Sequence, residues 1–544
     1  MSLSVCFQPL NCKIKVEEGT TVVEAARKAG IPLNTLCIGN GACGKCLIIC
    51  HSQEGLSPVT RNEQLRLGKE MLAKGYRLGC LSRVYSDIEV TLPPQTLRAW
   101  APLVKKMANT LDDQRYRQGP RVQQGEPGLG IALDLGTTTL TGCLHDLQTG
   151  ELLATVSVLN PQVFYGADIV TRLSYAAQDR RYYQDLRRVL LNGVNQIIEA
   201  FSHEVQSQKK EIKKITVVGN SFIHHSFLGL DLETFRNYPY KPLMTEDLEL
   251  KAAQIGRSEL LIPQDVHLEM LPLVGGFVGS DLLAGMQAVG IDLLDAPFVY
   301  LDLGTNNEVA VGNGQKILVA STCAGPAFEG GALSCGMRAQ PGAIDAVKIE
   351  KGRATVDTID HLYPLGICGS GSISLLAEML KAGIVNERGR IKQANGLING
   401  REAYLVVEGE SPLGLTNQDV EEIQKAKAAV FAAIIILSAE LGITFGEIKR
   451  VYIAGAFGFH LGIEDAITIG LLPRLNSQER FQLVGNAAAD GARLALLYDE
   501  VQQDLAGLLQ KIKHINLADH PRFNEEFIKA MFLPHEDEEL FRGG

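Results

Sequence analysis

No stretch of this chain is apolar enough to lie across a bilayer. The longest, Ala428 to Ala439, is twelve residues with one serine, against the ~18 or more that a membrane-spanning helix needs. It is expected to form a buried helix. The N-terminus, Met-Ser-Leu-Ser-Val-Cys-Phe, has neither the basic nor the apolar part of a secretory leader. No membrane association is therefore expected, and the cytoplasm is the expected compartment. Positive charge is in deficit, 52 Lys and Arg against 62 Asp and Glu for a net −10, which argues against a nucleic-acid partner. No Gly-x-Gly-x-x-Gly follows a first strand, so a flavin-linked reductase is disfavoured. Cysteine is not scarce, but eleven is an odd number with no secretory context, so a disulfide framework is not indicated. Tryptophan occurs once, at Trp100.

With 544 residues, 46% hydrophobic and 21% charged, the chain has ordinary globular composition and exceeds a single hydrophobic core. Its charge is unevenly spread. Residues 1–93 carry eleven basic and eight acidic side chains, residues 94–126 six and three, leaving −16 on 127–544. The mildly basic N-terminal part could dock on an acidic partner or on its own acidic body. Within it, Ser4–Phe7 and Cys12–Val16 read as strands and Val22–Ala29 as a helix closed by Gly30. Gly75–Cys80 and Asp87–Leu92 read as returning strands. This is a β-grasp pattern, ending at Pro93-Pro94.

Residues 94–126 read as a linker with a short amphipathic piece around Leu97–Val104, where Trp100 reads as a staple to a domain, with a docking patch as the alternative. From 127 to 544, runs rich in Ile and Val alternate with helical patterns and short glycine turns, an α/β architecture. Residues 127–212 are a candidate separate middle segment. The last ten residues, His535 to Gly544, read as a solvated acidic tail.

Cys37, Cys43, Cys46 and Cys80 stand apart from the other seven cysteines, which read as reduced core thiols. The first three fall in Cys37-Ile-Gly-Asn-Gly-Ala-Cys43-Gly-Lys-Cys46, and Cys80 follows 34 residues on. Four thiolates can hold the two irons of a 2Fe-2S cluster, and Gly39, Gly41 and Gly44 let the backbone wrap the sulfides. With five residues between the first two cysteines, the spacing is similar to that of adrenodoxin-like ferredoxins. A structural zinc site is the alternative for four thiolates, and Cys50 is the rival ligand, otherwise a buried strand cysteine.

Looking for internal repeats finds Gly130-Ile-Ala-Leu-Asp-Leu-Gly-Thr-Thr-Thr-Leu-Thr-Gly142 and Val299-Tyr-Leu-Asp-Leu-Gly-Thr-Asn-Asn-Glu-Val-Ala-Val311, whose aspartates are 168 residues apart. In each, a strand ends at an acidic residue and Gly-Thr turns back into a second strand. Backbone N–H groups and the hydroxyls of Thr137, Thr138, Thr139 and Thr305, with Asn306 and Asn307, would then face nucleotide phosphates. Gly136 and Gly304 permit the close approach. Asp134 and Asp302 are placed to hold Mg2+ through water or to orient an attacking water.

A third element, Val451-Tyr-Ile-Ala-Gly455-Ala456-Phe-Gly458, is a strand running into a glycine turn. It resembles the adenosine-binding segment of the superfamily that includes acetate and sugar kinases, heat-shock chaperones and actin. A two-lobed actin-like (RNase H-like repeat) ATPase region is the fold expected of 127–544. Asp281, in Gly275-Gly-Phe-Val-Gly-Ser-Asp281, is either a contributor to this site or the N-cap of a helix over Leu282–Val289.

The whole chain resembles the reductive activators of corrinoid proteins, ATP-dependent electron donors of anaerobic methyl-transfer pathways. The segments that carry the resemblance are Asn160-Pro-Gln162 with Tyr165-Gly-Ala-Asp168, Val218-Gly-Asn-Ser221 with His224-His225, Ala324-Gly-Pro-Ala-Phe-Glu-Gly-Gly331, and Gly369-Ser-Gly-Ser372. The resemblance implies an ATP-dependent enzyme that passes an electron from its 2Fe-2S cluster to the inert Co(II) corrinoid of a methyl-carrier protein, restoring Co(I). ATP and Mg2+ are its further cofactors, an upstream electron donor is its second partner, and a homodimer is admitted. It also places Gly325, Gly330 and Gly331 among the nucleotide-binding residues.

Driving one electron uphill by an assumed ~200 mV requires about 5 kcal/mol. That is about what a nucleotide must supply to swing a two-state equilibrium from 1:99 to 99:1. Ser321, Thr322, Ser370, Ser372, His224 and His225 could approach cobalt, but turn, nucleotide-contact or core roles suit them better. Competing readings are an activator of another low-potential enzyme and a redox-sensing, ATP-driven binding module. A sugar or acetate kinase is disfavoured because phosphoryl transfer needs no cluster.

Overall fold

The computed structural model describes residues 2–9, 12–29, 31, 33, 41, 46–50, 53–93, 96, 103–105, 116, 127–208, 210–256, 259–409, 411–455 and 461–541. Cys37, Gly39, Cys43, Gly44, Trp100, Ala456 and Gly458 lie outside them. The chain divides into two compact units, residues 1–102 with 158–193, and residues 103–157 with 194–544.

The first unit is organised by strict alternation. In β1 (Ser2–Gln8), Val5 and Phe7 are fully buried while their neighbours are half-exposed, the period of two that a one-sided sheet imposes. It pairs antiparallel with β2 (Cys12–Glu17). α1 (Val22–Lys28) starts at a reciprocal cap between Thr21 and Glu24 and buries Val22, Val23, Ala25 and Ala26. Then come β3 (Leu47–Ile49), α2 (Arg61–Ala73, broken at Gly68), β4 (Tyr76–Leu78) and β5 (Ile88–Thr91).

The sheet order is β2-β1-β5-β3-β4, with β5 parallel to β1, which is the expected β-grasp. Glu63 and Arg77 form a buried ion pair at 2.8 Å. The same carboxylate accepts from the Thr60 and Leu78 backbone N–H groups at 2.8 and 3.1 Å, so the buried charge is fully engaged. The rest of this unit holds a short turn over Pro161–Phe164 and α3 (Ile169–Ala176), and α4 (Arg180–Ala200) begins there.

The second unit contains two sheets with the same internal order. The first is built from β6 (Leu103–Lys105), β7 (Leu129–Leu135), β8 (Thr139–Asp146), β9 (Leu152–Leu159), β10 (Ile212–Gly219), β11 (Leu248–Lys251) and β12 (His267–Met270). It runs β11-β12-β10-β7-β8-β9-β6. Its helices are α5 (Ser202–Gln208), α6 (Ser221–Leu228), α7 (Ala252–Ile255) and α8 (Ser280–Ala288).

The second sheet begins with β13 (Phe298–Asp302), β14 (Asn306–Gly312) and β15 (Ile317–Cys323). An insertion follows, made of β16 (Ala343–Glu350), β17 (Arg353–Thr358), β18 (Gly366–Ile367), α9 (Gly369–Lys381), β19 (Gly396–Ile398), β20 (Arg401–Val407), β21 (Leu413–Thr416) and α10 (Asn417–Leu441). The sheet resumes with β22 (Arg450–Ala454), α11 (Ile463–Thr468), β23 (Phe481–Gly485), α12 (Ala487–Leu497), α13 (Glu500–Lys511), β24 (Ile512–His514) and α14 (Phe523–Ala530), in the order β23-β22-β13-β14-β15-β24. In both lobes three antiparallel strands lead and two parallel strands add on the other side of the first, β9-β8-β7-β10-β12 and β15-β14-β13-β22-β23. The repeat expected from the two Asp-Leu-Gly-Thr segments is therefore a repeat of the fold.

α8 and α12, the helices that follow the fifth strand of each lobe, pack together. A Cβ on Gly491 would overlap the Ala284 carbonyl, and one on Gly285 would overlap the Tyr300 hydroxyl. Only glycine lets the backbones approach this closely. Gly491→Val is expected to destabilise the protein by about 2 kcal/mol or more through overpacking, read as a lowered midpoint of thermal unfolding.

The expected buried helix lies inside α10, where Val430, Phe431, Ala433 and Ile434 are fully buried. Two expectations are corrected. The 94–126 connection is not a plain linker: Leu103–Lys105 pairs antiparallel with β9. Tyr116 is buried, stacks on Tyr498 at 5.4 Å and donates to the Asp504 carboxylate at 2.6 Å. A three-residue edge strand is too short to show a period. Nor is the C-terminus only a solvated tail. Glu536 to Glu539 are exposed, but His535 and Phe541 lie 5.6 and 5.3 Å from the Phe431 ring. Lys427 of α10, fully buried, donates to the Phe532 and Pro534 carbonyls. Apolar residues interspersed with the acids anchor what composition alone makes look soluble. Among the described residues, no helix is long and apolar enough to cross a membrane.

Candidate functional site

Two of the four cysteines expected to hold the cluster are placed by how β3 and β4 pair. Leu47 lies opposite Leu78, and the Gly79 N–H donates to the Cys46 carbonyl at 2.8 Å, so Cys46 and the Gly79-Cys80 segment run side by side. Both thiols are buried, and neither is in a disulfide. Gly41 has φ +77°, and a Cβ there would stand 2.5 Å from Leu81, a backbone cradle with no room for a side chain. Two buried thiols flanking a pair of neighbouring strands, Cys46 just before β3 and Cys80 just after β4, beside such a cradle fit an iron-sulfur group. Cys37 and Cys43 lie outside the described residues. Cys50 sits at the far end of β3, with its Sγ 3.6 Å from the Glu89 carbonyl that accepts from it, a strand length from Cys46.

The two expected strand-turn-strand hairpins form, β7 to β8 and β13 to β14, both antiparallel. They also meet: the hydroxyls of Thr138 and Thr305 are 2.6 Å apart. In the first hairpin the Gly136 N–H donates to the Thr139 carbonyl at 3.0 Å, and a Cβ on Gly136 would stand 2.6 Å from that oxygen. In the second, the Gly304 N–H donates to the Asn307 side-chain oxygen at 3.0 Å. Asn306 Nδ2 reaches the Thr137 hydroxyl at 3.5 Å. Gly455, at φ +100°, follows β22; a Cβ there would come 3.1 Å from an Asp302 carboxylate oxygen. Asp302, Gly455 and both hairpins therefore share one location. Gly325 and Gly330, with φ +69° and +71°, and Gly331 shape the turn that carries Glu329, whose carboxylate accepts from Thr305 Oγ1 at 2.9 Å.

Asp281 is in the site but is not a helix N-cap. α8 begins two residues earlier than expected, with Gly279 as its cap, because glycine alone passes the Gly219 carbonyl without overlap. Asp281 Oδ1 accepts from the Leu282 N–H at 2.9 Å. Burial and mutual repulsion push the carboxylates upward. Asp302 rises to about 8 through burial and the charges of Asp281 and Asp134. Asp134 rises to about 7 through burial, opposed by its hydrogen bond from Asn486 and reinforced by Asp281. Asp281 rises to about 6 through burial. Among the described residues no three His, Cys, Asp or Glu side chains converge to hold a metal ion.

Five residues of this site were not named from sequence. Glu308 lies directly across the hairpin from Asp302, is buried and accepts from Ser321 Oγ at 3.2 Å. Asn220 and Asn486 reach in from helix starts, donating to the Thr137 hydroxyl at 3.0 Å and to the Asp134 carboxylate at 2.8 Å. Glu329 holds Thr305, and Arg338 donates to the Thr138 carbonyl at 3.1 Å. The two asparagines did leave a signal: Val-Gly-Asn occurs at 218–220 and again at 484–486, each time where a parallel strand becomes a helix. Thr322, Ser370, Ser372, His224 and His225 are buried, in keeping with their core and turn readings. His225 accepts from the Leu243 N–H at 3.0 Å.

Residues 7–85 match the 2Fe-2S iron-sulfur cluster binding domain, residues 129–293 the RACo middle region, and residues 296–543 the C-terminal domain of RACo, the ASKHA domain. The chain is 29% identical to the corrinoid activation enzyme RamQ of Eubacterium limosum, over 97% of this chain and 98% of that one. It is 27% identical to the [Co(II) methylated amine-specific corrinoid protein] reductase of Methanosarcina barkeri, over 73% and 76%. A solved reductive activator for corrinoid, iron-sulfur protein superposes with a TM-score of 0.70 at 28% identity, covering 99% of this chain and all of that one. The chain belongs to the RACo-like reductive activators of corrinoid proteins, with an N-terminal 2Fe-2S ferredoxin domain and a C-terminal ASKHA domain.

Proposed function

We propose that this protein reductively activates a corrinoid methyl-carrier protein, returning its Co(II) centre to Co(I) under the control of ATP. The observation that carries the proposal is the joining, in one chain, of a thiolate-bearing β-grasp with two phosphate hairpins whose threonines, Thr138 and Thr305, meet at 2.6 Å. The cluster supplies one electron at a time when bound, and Cys37, Cys43, Cys46 and Cys80 are its ligands.

In the ASKHA region, Gly136, Thr137, Thr138 and Thr139 face the nucleotide phosphates from one side, and Gly304, Thr305, Asn306 and Asn307 from the other. Gly455, Ala456 and Gly458 line the adenosine end. Asp134 and Asp302 would hold Mg2+ through water or orient an attacking water, and Asp281 would add a third carboxylate beside them. Each lobe contributes one hairpin, so a nucleotide bound by both draws them together and favours one of two arrangements. That bias is the physical route from ATP to the electron. The same reading takes 1–93 as the cluster domain, 94–126 as the connection and 127–544 as the ATPase region. It also sets the protein in the cytoplasm with an upstream reductant.

The test mixes the reduced protein with an oxidised corrinoid methyl carrier and follows cobalt absorption. The Co(I) band is expected to grow with Mg-ATP and to stay near baseline without it. Equal growth in both would refute nucleotide control, and none in either would refute the activity.

A further inference from the structure

Asn160-Pro-Gln162 and Tyr165-Gly-Ala-Asp168 belong to neither site above, yet they are held by a set of buried hydrogen bonds. Asn160 Oδ1 accepts from the Gln162 N–H at 3.0 Å, and Gln162 Nε2 donates to the Leu186 carbonyl at 3.1 Å. Arg172, fully buried, donates from Nη1 to Gln162 Oε1 at 3.2 Å and from Nε to the Gly166 carbonyl at 3.0 Å. Asp168 caps α3, accepting from the Thr171 N–H at 2.8 Å. A Cβ on Gly166 would stand 2.8 Å from the Arg172 nitrogen, so the turn admits only glycine. These bonds set the Tyr165 ring at the head of an aromatic row, 4.9 Å from Tyr175, which is in turn 4.6 Å from Tyr182.

Arg27, in the last turn of α1 and 137 residues from Phe164, completes the row. Its guanidinium lies 4.5 Å from the Tyr165 ring centroid, and Nη2 donates to the Phe164 carbonyl at 2.8 Å. α1 is itself tied to the segment around Cys80 that follows β4: the Val23 N–H donates to the Gly79 carbonyl at 3.1 Å, and the Val22 N–H to the Ser82 carbonyl at 2.9 Å. One end of α1 therefore rests on the tyrosine while its start brackets Cys80.

We infer that the segment 160–182 is the docking surface for the chain's own cluster domain, with Arg27 on Tyr165 as the contact that holds it. The occupant is α1, already seated on the surface. A planar cation on an aromatic face with one hydrogen bond is a modest, reversible contact, suited to a domain that must both be held and be released. This inference rests on contacts within one unit and is independent of the corrinoid reading.

Hydrogen exchange on the full-length protein with its cluster reconstituted tests it. Arg27→Ala and Tyr165→Leu should each raise exchange of the amides in 24–29 and 163–168 by about fivefold or more, with 129–146 unchanged. The double variant should exchange no faster than either single one, because both remove the same contact. Unchanged exchange in Arg27→Ala, or additive effects in the double variant, would overturn the docking. Arg27 is only half-buried, so Arg27→Ala, checked by its retained cluster absorption, carries the test even if Tyr165→Leu misfolds.

Discussion

Cys80→Ser is expected to give a folded protein that binds ATP as before but has lost its visible absorption and its electron transfer to cobalt. Cys80 is buried beside Gly79, where a Cβ would already press within 3.4 Å of Ile48, Val23 and the Cys46 carbonyl. Serine is no larger than cysteine, so the packing survives. What changes is the ligand, a soft thiolate replaced by a hard hydroxyl that must ionise to bind. Electron transfer should fall by about 100-fold or more, since even residues behind the ligands of a metal site matter by 10–100-fold. The paired control is Cys50→Ser. Cys50 is at the other end of β3 and donates to the Glu89 carbonyl, so that variant should reconstitute with two irons and full colour. If Cys50→Ser bleached the protein and Cys80→Ser did not, the ligand assignment would be reversed.

Asp302→Asn is expected to abolish the response to Mg-ATP while leaving the cluster intact, and to change how the protein answers to pH. Burial and the neighbouring charges of Asp281 and Asp134 lift Asp302 to about 8, so near neutrality it is largely protonated when no cation is bound. Mg-ATP needs the carboxylate ionised, and binding must then release a proton. Affinity should tighten by about tenfold per pH unit for each proton released, levelling off above about pH 8. Calorimetry in buffers of different ionisation enthalpy reads this directly.

The sign for stability is the opposite. A carboxyl whose folded value lies above its unfolded value near 4 stabilises the fold at low pH, and that stability is lost as pH rises toward 8. The nucleotide-free protein should thus melt earlier at pH 8 than at pH 6, and Asp302→Asn should flatten the trend. A wild-type affinity independent of pH between 6 and 8 would contradict the buried, charge-crowded state of this aspartate.

Some of this was readable in residue spacing because the chemistry is local. Cys37 to Cys46 span ten residues, and a loop that wraps an iron-sulfur group must carry most of its ligands within such a span. The phosphate hairpins are likewise local, strand, turn and strand in thirteen residues, and their recurrence 168 residues apart announced the two lobes. Asn486 shows the other case. It bonds to Asp134 across 352 residues, and nothing near either residue names the other. Glu308 directly follows Asn307 in the chain, but only the antiparallel register sets it across from Asp302.

Sequence alone determined the class of the two halves, a thiolate-bearing β-grasp and a duplicated nucleotide fold, because each rests on contiguous motifs whose backbone demands are met within a few residues. The tertiary structure decided the rest. It decided which hydroxyls of the two hairpins meet, which carboxylates crowd until their protons are held near neutrality, that Asp281 lies inside α8, and where Arg27 finds its tyrosine. All of these depend on segments far apart in the chain being folded onto one another. Burial and proximity are properties of that packing, and no short window of residues carries them.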